Sequence, residues 1–168
     1  MRIQTLNDVL VDQLGDLRSA EEQLVEALPM LAANADDQTL QQAIQMHLDQ
    51  TREHLRRLER IQSLVPSAIP QQHCEGMEGL LREGREVIQA DGRGPAKDAA
   101  LIAAAQRVEH YEIAAYGTAR ELADELDLDE ARDLLDLTLD EEKQADAKLN
   151  KVATGGLFRR GVNQEART

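Results

Sequence analysis

The chain has 168 residues, of which 42% are apolar and 30% charged, with a formal net charge of −13. This length fits one domain, or one domain plus a tail, in an ordinary globular composition. Such an acidic surface repels phosphates, which argues against DNA or RNA as a partner. The absence of any 18-residue apolar run or signal-peptide core argues against a membrane association.

Only 2% of residues are aromatic and there is no Trp, so Leu, Ala, Ile, Val and Met must form the core. An Ala/Leu/Glu/Arg-rich chain with few β-branched runs is expected to be all-helical. The lone cysteine, Cys74, excludes an internal disulfide and fits a reducing, cytoplasmic location.

In chain order, Leu10, Leu14, Leu17, Leu24, Leu28 and Leu31 recur at helical spacing and predict a first long helix. Asn7 and Thr5 compete as its N-cap, and Pro29 is expected to kink it or end its regular part. Asp36 or Asp37 caps the second helix, which runs from about residue 38 to 65 with Leu40, Ile44, Leu58 and Ile61 on one face. Prolines then mark a loop. Residues 75–90 read as a short helix carrying Met77, Leu80, Leu81, Val87 and Ile88.

Pro95 suits the first turn of a third long helix over about 96–126. After a tight link at 126–129, the fourth runs to about 153 and stops at Gly155 and Gly156. Short, long, short connections are those of a ferritin-like four-helix bundle with one long crossover, here carrying the extra short helix. The bundle is expected over residues 1–154, with 155–168 as a flexible tail.

Each long helix places polar residues where its own stripe asks for apolar ones. The first stripe includes Glu21, with Glu22 to the side. The second includes His47, Thr51 and His54; the third Glu109, Glu112 and Tyr116; the fourth Glu142 and Asp146. All lie near mid-helix, so in an antiparallel bundle they meet at similar heights. Burying one carboxylate costs several kcal/mol, and several on converging faces repel one another unless protons or cations neutralise them.

Taken singly, each is accounted for by an edge position, a salt bridge to Arg18 or Arg52, or a protonated acid. Repeated on four helices, they share one explanation: carboxylates and imidazoles holding paired iron or manganese. Glu109 and Glu112, spaced i, i+3, reach one point, one placed to bridge two ions while the other completes a single ion's sphere. The spacing alone is common on solvated helices. His110 points off the core face, Tyr116 is a core tyrosine or a partner of a ligand carboxylate, and Cys74 beside His73 reads as structural.

The stretches AEEQLVEALP, HLDQTREHLRRLERI, CEGMEGLLREGREVI, AALIAAAQRVEHYEIAAYGTARELA and LLDLTLDEEKQADAKL resemble the YciE/YciF family (DUF892) of ferritin-like proteins, over about residues 3–153. The resemblance implies a rubrerythrin- and ferritin-like bundle, a homodimer and an association with bacterial stress, without a firmly assigned reaction. The family's inward acids match Glu21, Glu109, Glu112, Glu142 and Asp146, its histidine matches His47, and its pattern includes Glu78. The chain departs from the family at Gln50, where Glu is usual, and at His54, where Gln is frequent; a neutral amide ligates hard cations more weakly than a carboxylate. Two functions follow: a di-iron or di-manganese centre reacting with peroxide or O2, or a non-enzymatic structural or interaction bundle retaining a degenerate site. Iron storage is a third, requiring a cage-forming oligomer.

Overall fold

The computed structural model describes residues 3–156 and 159–167. Helices α1 (Leu6–Asn34) and α2 (Gln38–Gln62) form one hairpin, α4 (Pro95–Glu125) and α5 (Asp129–Thr154) another, and α3 (Glu75–Gln89) lies in the crossover between them. The α1 helix packs on α2 and α4, α5 packs on α4 and α2, and α3 covers a face shared by α1 and α4.

Local chemistry sets these boundaries. Thr5, not Asn7, caps α1 through a capping box with Asp8. Pro29 does not end α1, which continues to Asn34. Asp37 caps α2 by accepting from the backbone of Thr39 and Leu40. The α4–α5 link turns through Asp127 at φ 54°, a left-handed conformation that Asp tolerates.

The two hairpins are stitched at one end by carboxylates. Asp98, on the first turn of α4, accepts from the backbone N–H groups of Asp36 (2.8 Å) and Asp37 (2.7 Å). Asp36 in turn accepts from Gly94 N at 2.6 Å. Cys74 caps α3, its Sγ accepting from Met77 N and lying 3.0 Å from the Tyr111 hydroxyl, which donates to Asp16. Burial pushes the thiol above its ordinary range, as for a cysteine that caps and anchors α3.

The apolar core is split in two. One cluster joins the N-terminal half of α1 (Leu10, Leu14, Leu17) to the C-terminal parts of α2 and α4 and the start of α5. The other joins Leu24 and Leu28 to the start of α2 and α4, the end of α5 and part of α3. This pairing of opposite ends makes every packed pair among the four long helices antiparallel. Between the clusters lies a layer of polar side chains.

The segment expected to be a flexible tail folds back instead. Gly155–Gly156 (β1) pairs antiparallel with Arg159–Arg160 (β2), a two-stranded ladder that the all-helical reading did not anticipate. A single turn follows, α6 (Val162–Glu165), and buries Val162 in the core. Gly161 permits this return, because a Cβ there would sit 2.2 Å from Gly155 N. Leu157, Phe158 and Thr168 lie outside the described residues, as do Met1 and Arg2.

Asp98→Ala removes the shared acceptor of two backbone donors. It should lower unfolding free energy by about 1–3 kcal/mol, read as a reduced urea midpoint at unchanged slope, with Asp98→Asn intermediate.

Candidate metal centre

Each long helix contributes to the polar layer where an apolar residue would otherwise continue its stripe. Helix α1 supplies Glu21, α2 supplies His47 and His54, α4 supplies Glu109 and Glu112, and α5 supplies Glu142. Glu21, His54, Glu112 and Glu142 are each 0% exposed. Glu22, one position off the stripe, faces solvent.

Among the described residues, buried donors gather in two groups. His47, Glu109, Glu112 and Glu142 form one; Glu21, His54 and Glu142 form the other, with ligand atoms inside each group within 4.8 Å of one another. Glu142 belongs to both. The shared carboxylate is therefore on α5, whereas the sequence spacing pointed to Glu109 or Glu112.

His54 Nδ1 lies 3.1 Å from Glu21 Oε1 and 3.0 Å from Glu142 Oε1. His47 Nε2 lies 3.5 Å from Glu109 Oε1 and 3.8 Å from Glu142 Oε2. Adjacent ligands of an octahedral ion bound at about 2.1 Å are about 3 Å apart, so the closest of these separations suit donors around a common cation. The two His54 contacts equally suit ion pairs of a protonated imidazole with Glu21 and Glu142. Ion pairs aside, both oxygens of Glu112 and of Glu142, Oε2 of Glu21 and of Glu109, both nitrogens of His47 and Nδ1 of His54 are buried without a hydrogen-bond partner among the described residues. Native cores rarely leave so many such atoms together.

The electrostatics are those of a crowded carboxylate site. Burial, reinforced by the Glu142 charge, pushes Glu109 and Glu112 well above the ordinary carboxylate range. Burial also raises Glu21, although His54 and Tyr116 oppose it. Burial lowers His47, keeping its imidazole neutral and available as a ligand. For His54 burial alone would do the same, but the neighbouring carboxylates of Glu142 and Glu21 outweigh it and lift the group to about 10. The reciprocal effect holds Glu142 below its ordinary value against its own burial.

The donors are fixed from behind. His54 Nε2 meets Glu141 Oε2 at 2.9 Å, and Glu141 is clamped by both terminal nitrogens of Arg57, at 2.6 and 3.1 Å. A carboxylate on the remote nitrogen is the usual companion of a metal-ligating histidine. The Tyr116 hydroxyl donates to Glu21 Oε1 at 2.5 Å, orienting that carboxylate. Thr51 points inward as expected, but its hydroxyl is satisfied by His47 O.

Asp146 is not brought into either group. It is half-buried at the rim, where it accepts from Gln106 and Asn150 and pairs with exposed His110 at 3.3 Å. Glu141 and Arg57 escaped the stripe analysis, because each sits one turn-edge away from the buried face. The adjacent pair Glu141–Glu142 was the available signal. Gln50 lines a cleft of about 210 Å³ with His47 and Glu109, close to the centre but outside the donor groups. His73, Glu75 and Glu78 gather at the start of α3 but are exposed.

Comparison with known proteins agrees with this architecture. Residues 5–167 match a family described as "Domain of unknown function (DUF892)". The chain is 41% identical over 165 residues to Protein YciF of Escherichia coli K12, covering 98% of this chain and 99% of that one. The crystal structure of the E. coli stress protein YciF superposes with a TM-score of 0.90 at 40% identity, covering 99% of this chain and 100% of that one. YcfI of Rhodopseudomonas palustris matches with a TM-score of 0.85 at 38% identity, over 90% and 96% of the two chains. The chain belongs to the DUF892 family.

Because the folded protein holds the Glu112 proton well above pH 4.5, its ordinary value, this group destabilises the metal-free fold as pH rises from there. Glu112→Gln should be close to neutral near pH 4.5 and progressively stabilising towards pH 7–8, measured by chelator-treated urea unfolding across that range.

Proposed function

We propose that this DUF892 member binds a di-iron or di-manganese centre and acts in bacterial stress physiology through peroxide or O2 chemistry at that centre. The observation that carries the reading is the pair of buried donor groups joined by Glu142, in which several polar atoms have no hydrogen-bond partner among the described residues. Four carboxylates balance two divalent ions when both histidines are neutral, so the metal relieves the repulsion that folding creates. His47, Glu109 and Glu112 would hold one ion, Glu21 and His54 the other, with Glu142 common to both. Carboxylate-rich coordination favours hard, higher oxidation states, and bound iron or manganese supplies one-electron steps and Lewis acidity towards an oxygen substrate.

The chain's own residues keep this centre dry and oriented. The two apolar clusters exclude water above and below the polar layer. Glu141 holds His54 by Nε2, leaving Nδ1 to face the centre, and any proton displaced from Nδ1 leaves among carboxylates rather than into apolar packing. The relative's description as a stress protein supports the physiological setting. A homodimer, as the family resemblance implies, is part of the same reading, and so is a cytoplasmic location, which suits the free thiol of Cys74; among the described residues no helix is long and apolar enough to cross a membrane.

Gln50 favours a second reading. A neutral amide beside His47 and Glu109, where the family pattern has Glu, suits a structural or interaction bundle that retains a degenerate site.

Metal analysis of protein purified without chelator separates the two, with two ions per chain expected for the first. Fe(II) or Mn(II) at a hundredfold excess over Kd should raise Tm by about 5–10 °C per filled site near neutral pH. The rise should shrink at acidic pH, where protons compete for the same oxygens. Glu112→Gln should remove most of it and Glu22→Gln none; if both variants respond as the parent does, the inward acids are not ligands. Glu141→Gln should weaken metal affinity about 10–100-fold while leaving the stoichiometry unchanged.

A further inference from the structure

A second cleft also reaches Glu109 and is larger than peroxide needs. It encloses about 380 Å³ between α1, α3 and α4. Leu28, Leu81, Ile88, Ala104 and Val108 help form its walls, and Glu109 closes its inner end. A water-sized molecule occupies about 30 Å³, so the cleft has room for about a dozen non-hydrogen atoms. Peroxide and O2 would fill a small fraction of it, and apolar walls hold water poorly.

We propose that this cleft binds a medium-chain apolar molecule with a neutral O–H head, its tail between α1 and α3 and its head at Glu109. Glu109 Oε2 is buried without a hydrogen-bond partner among the described residues, so a hydroxyl entering from the cleft, able to donate or to accept, meets an unpaired carboxyl oxygen. An anionic head would have to shed its hydration at the buried end of a largely apolar cleft and is disfavoured by that cost. Small residues create the space where α3 crosses α4. Gly84 is buried, and a Cβ there would touch only Ala104, at an ordinary 4.0 Å. Glu26, Glu78 and Arg85 line the cleft as well, mixing charges that favour no ionic ligand. A protein partner lying across the opening would leave the inner volume and Glu109 Oε2 unfilled.

For a hydroperoxide head the inference rests on the reading of the centre as peroxide-reactive and names its substrate class, an alkyl hydroperoxide. The pocket itself does not depend on metal.

Calorimetric titration of the full-length, EDTA-treated protein tests it with 1-octanol, 1-hexanol and sodium octanoate. Saturable binding of one octanol per chain is expected, with octanoate at least tenfold weaker. Gly84→Leu should weaken octanol at least tenfold while keeping the parent's Mn(II)-induced Tm rise, which shows that the fold and centre are intact. Leu81→Ala enlarges the cleft and should shift preference towards decanol over hexanol. Absence of saturable binding, equal affinity for octanoate, or a Gly84→Leu variant that binds as the parent does would overturn the pocket. So would a dimer that binds no octanol and becomes monomeric on Gly84→Leu, which assigns the cleft to a second copy. Octanol binding without any metal response would uphold the pocket and remove only the metal reading.

Discussion

Mutual repulsion among carboxylates gathered at the waist of an apolar bundle is the constraint around which this molecule is arranged. Glu21, Glu109, Glu112 and Glu142 come from three helices and share one water-poor layer. Nothing in hydrophobic burial favours that meeting. It persists because the Leu-rich clusters on either side pay for it and because His54 supplies a cation from the fourth helix. Remove that imidazole's charge, and the layer has only protons or imported cations with which to stay closed.

Most of this was legible from residue spacing. Leu10, Leu14 and Leu17 mark their stripe so plainly that Glu21, one step further along it, stands out as a violation. The same logic found His47, His54, Glu109, Glu112 and Glu142. It failed for Asp146, because a stripe drifts towards the bundle rim over a long helix and does not say where the rim begins. It failed for Glu141 and Arg57 because support from behind a buried donor comes from flanking positions that a periodicity filter discards. The identity of the shared carboxylate was equally hidden, since it depends on helix rotation rather than on any local pair. The C-terminal return also eluded composition: a glycine-rich, mildly basic segment looks unstructured until Gly161 and Val162 are seen against the end of α5.

The crossover does more than connect hairpins. Cys74 anchors the start of α3 to α1 and α4 through Ser19, Gln23 and Tyr111. Met77 then fixes its first turn in the core. Further along, Gly84 and the alanines of α4 hold the packing open and leave a cleft that ends at the same carboxylate layer. The four long helices thus carry the polar layer, while the short one lines one of the two clefts that reach it.

His54, held between Glu141 on one nitrogen and Glu21 and Glu142 on the other, has a bearing on how the layer closes. With burial pushing Glu109, Glu112 and Glu21 towards their neutral forms, and Glu142 held low beside a raised His54, the charges of the layer tend to cancel before any ion arrives. Two divalent ions exchanged for its protons leave it close to neutral again. The chain can therefore close this layer with its own protons alone, and the packing of the four helices does not depend on an imported ion.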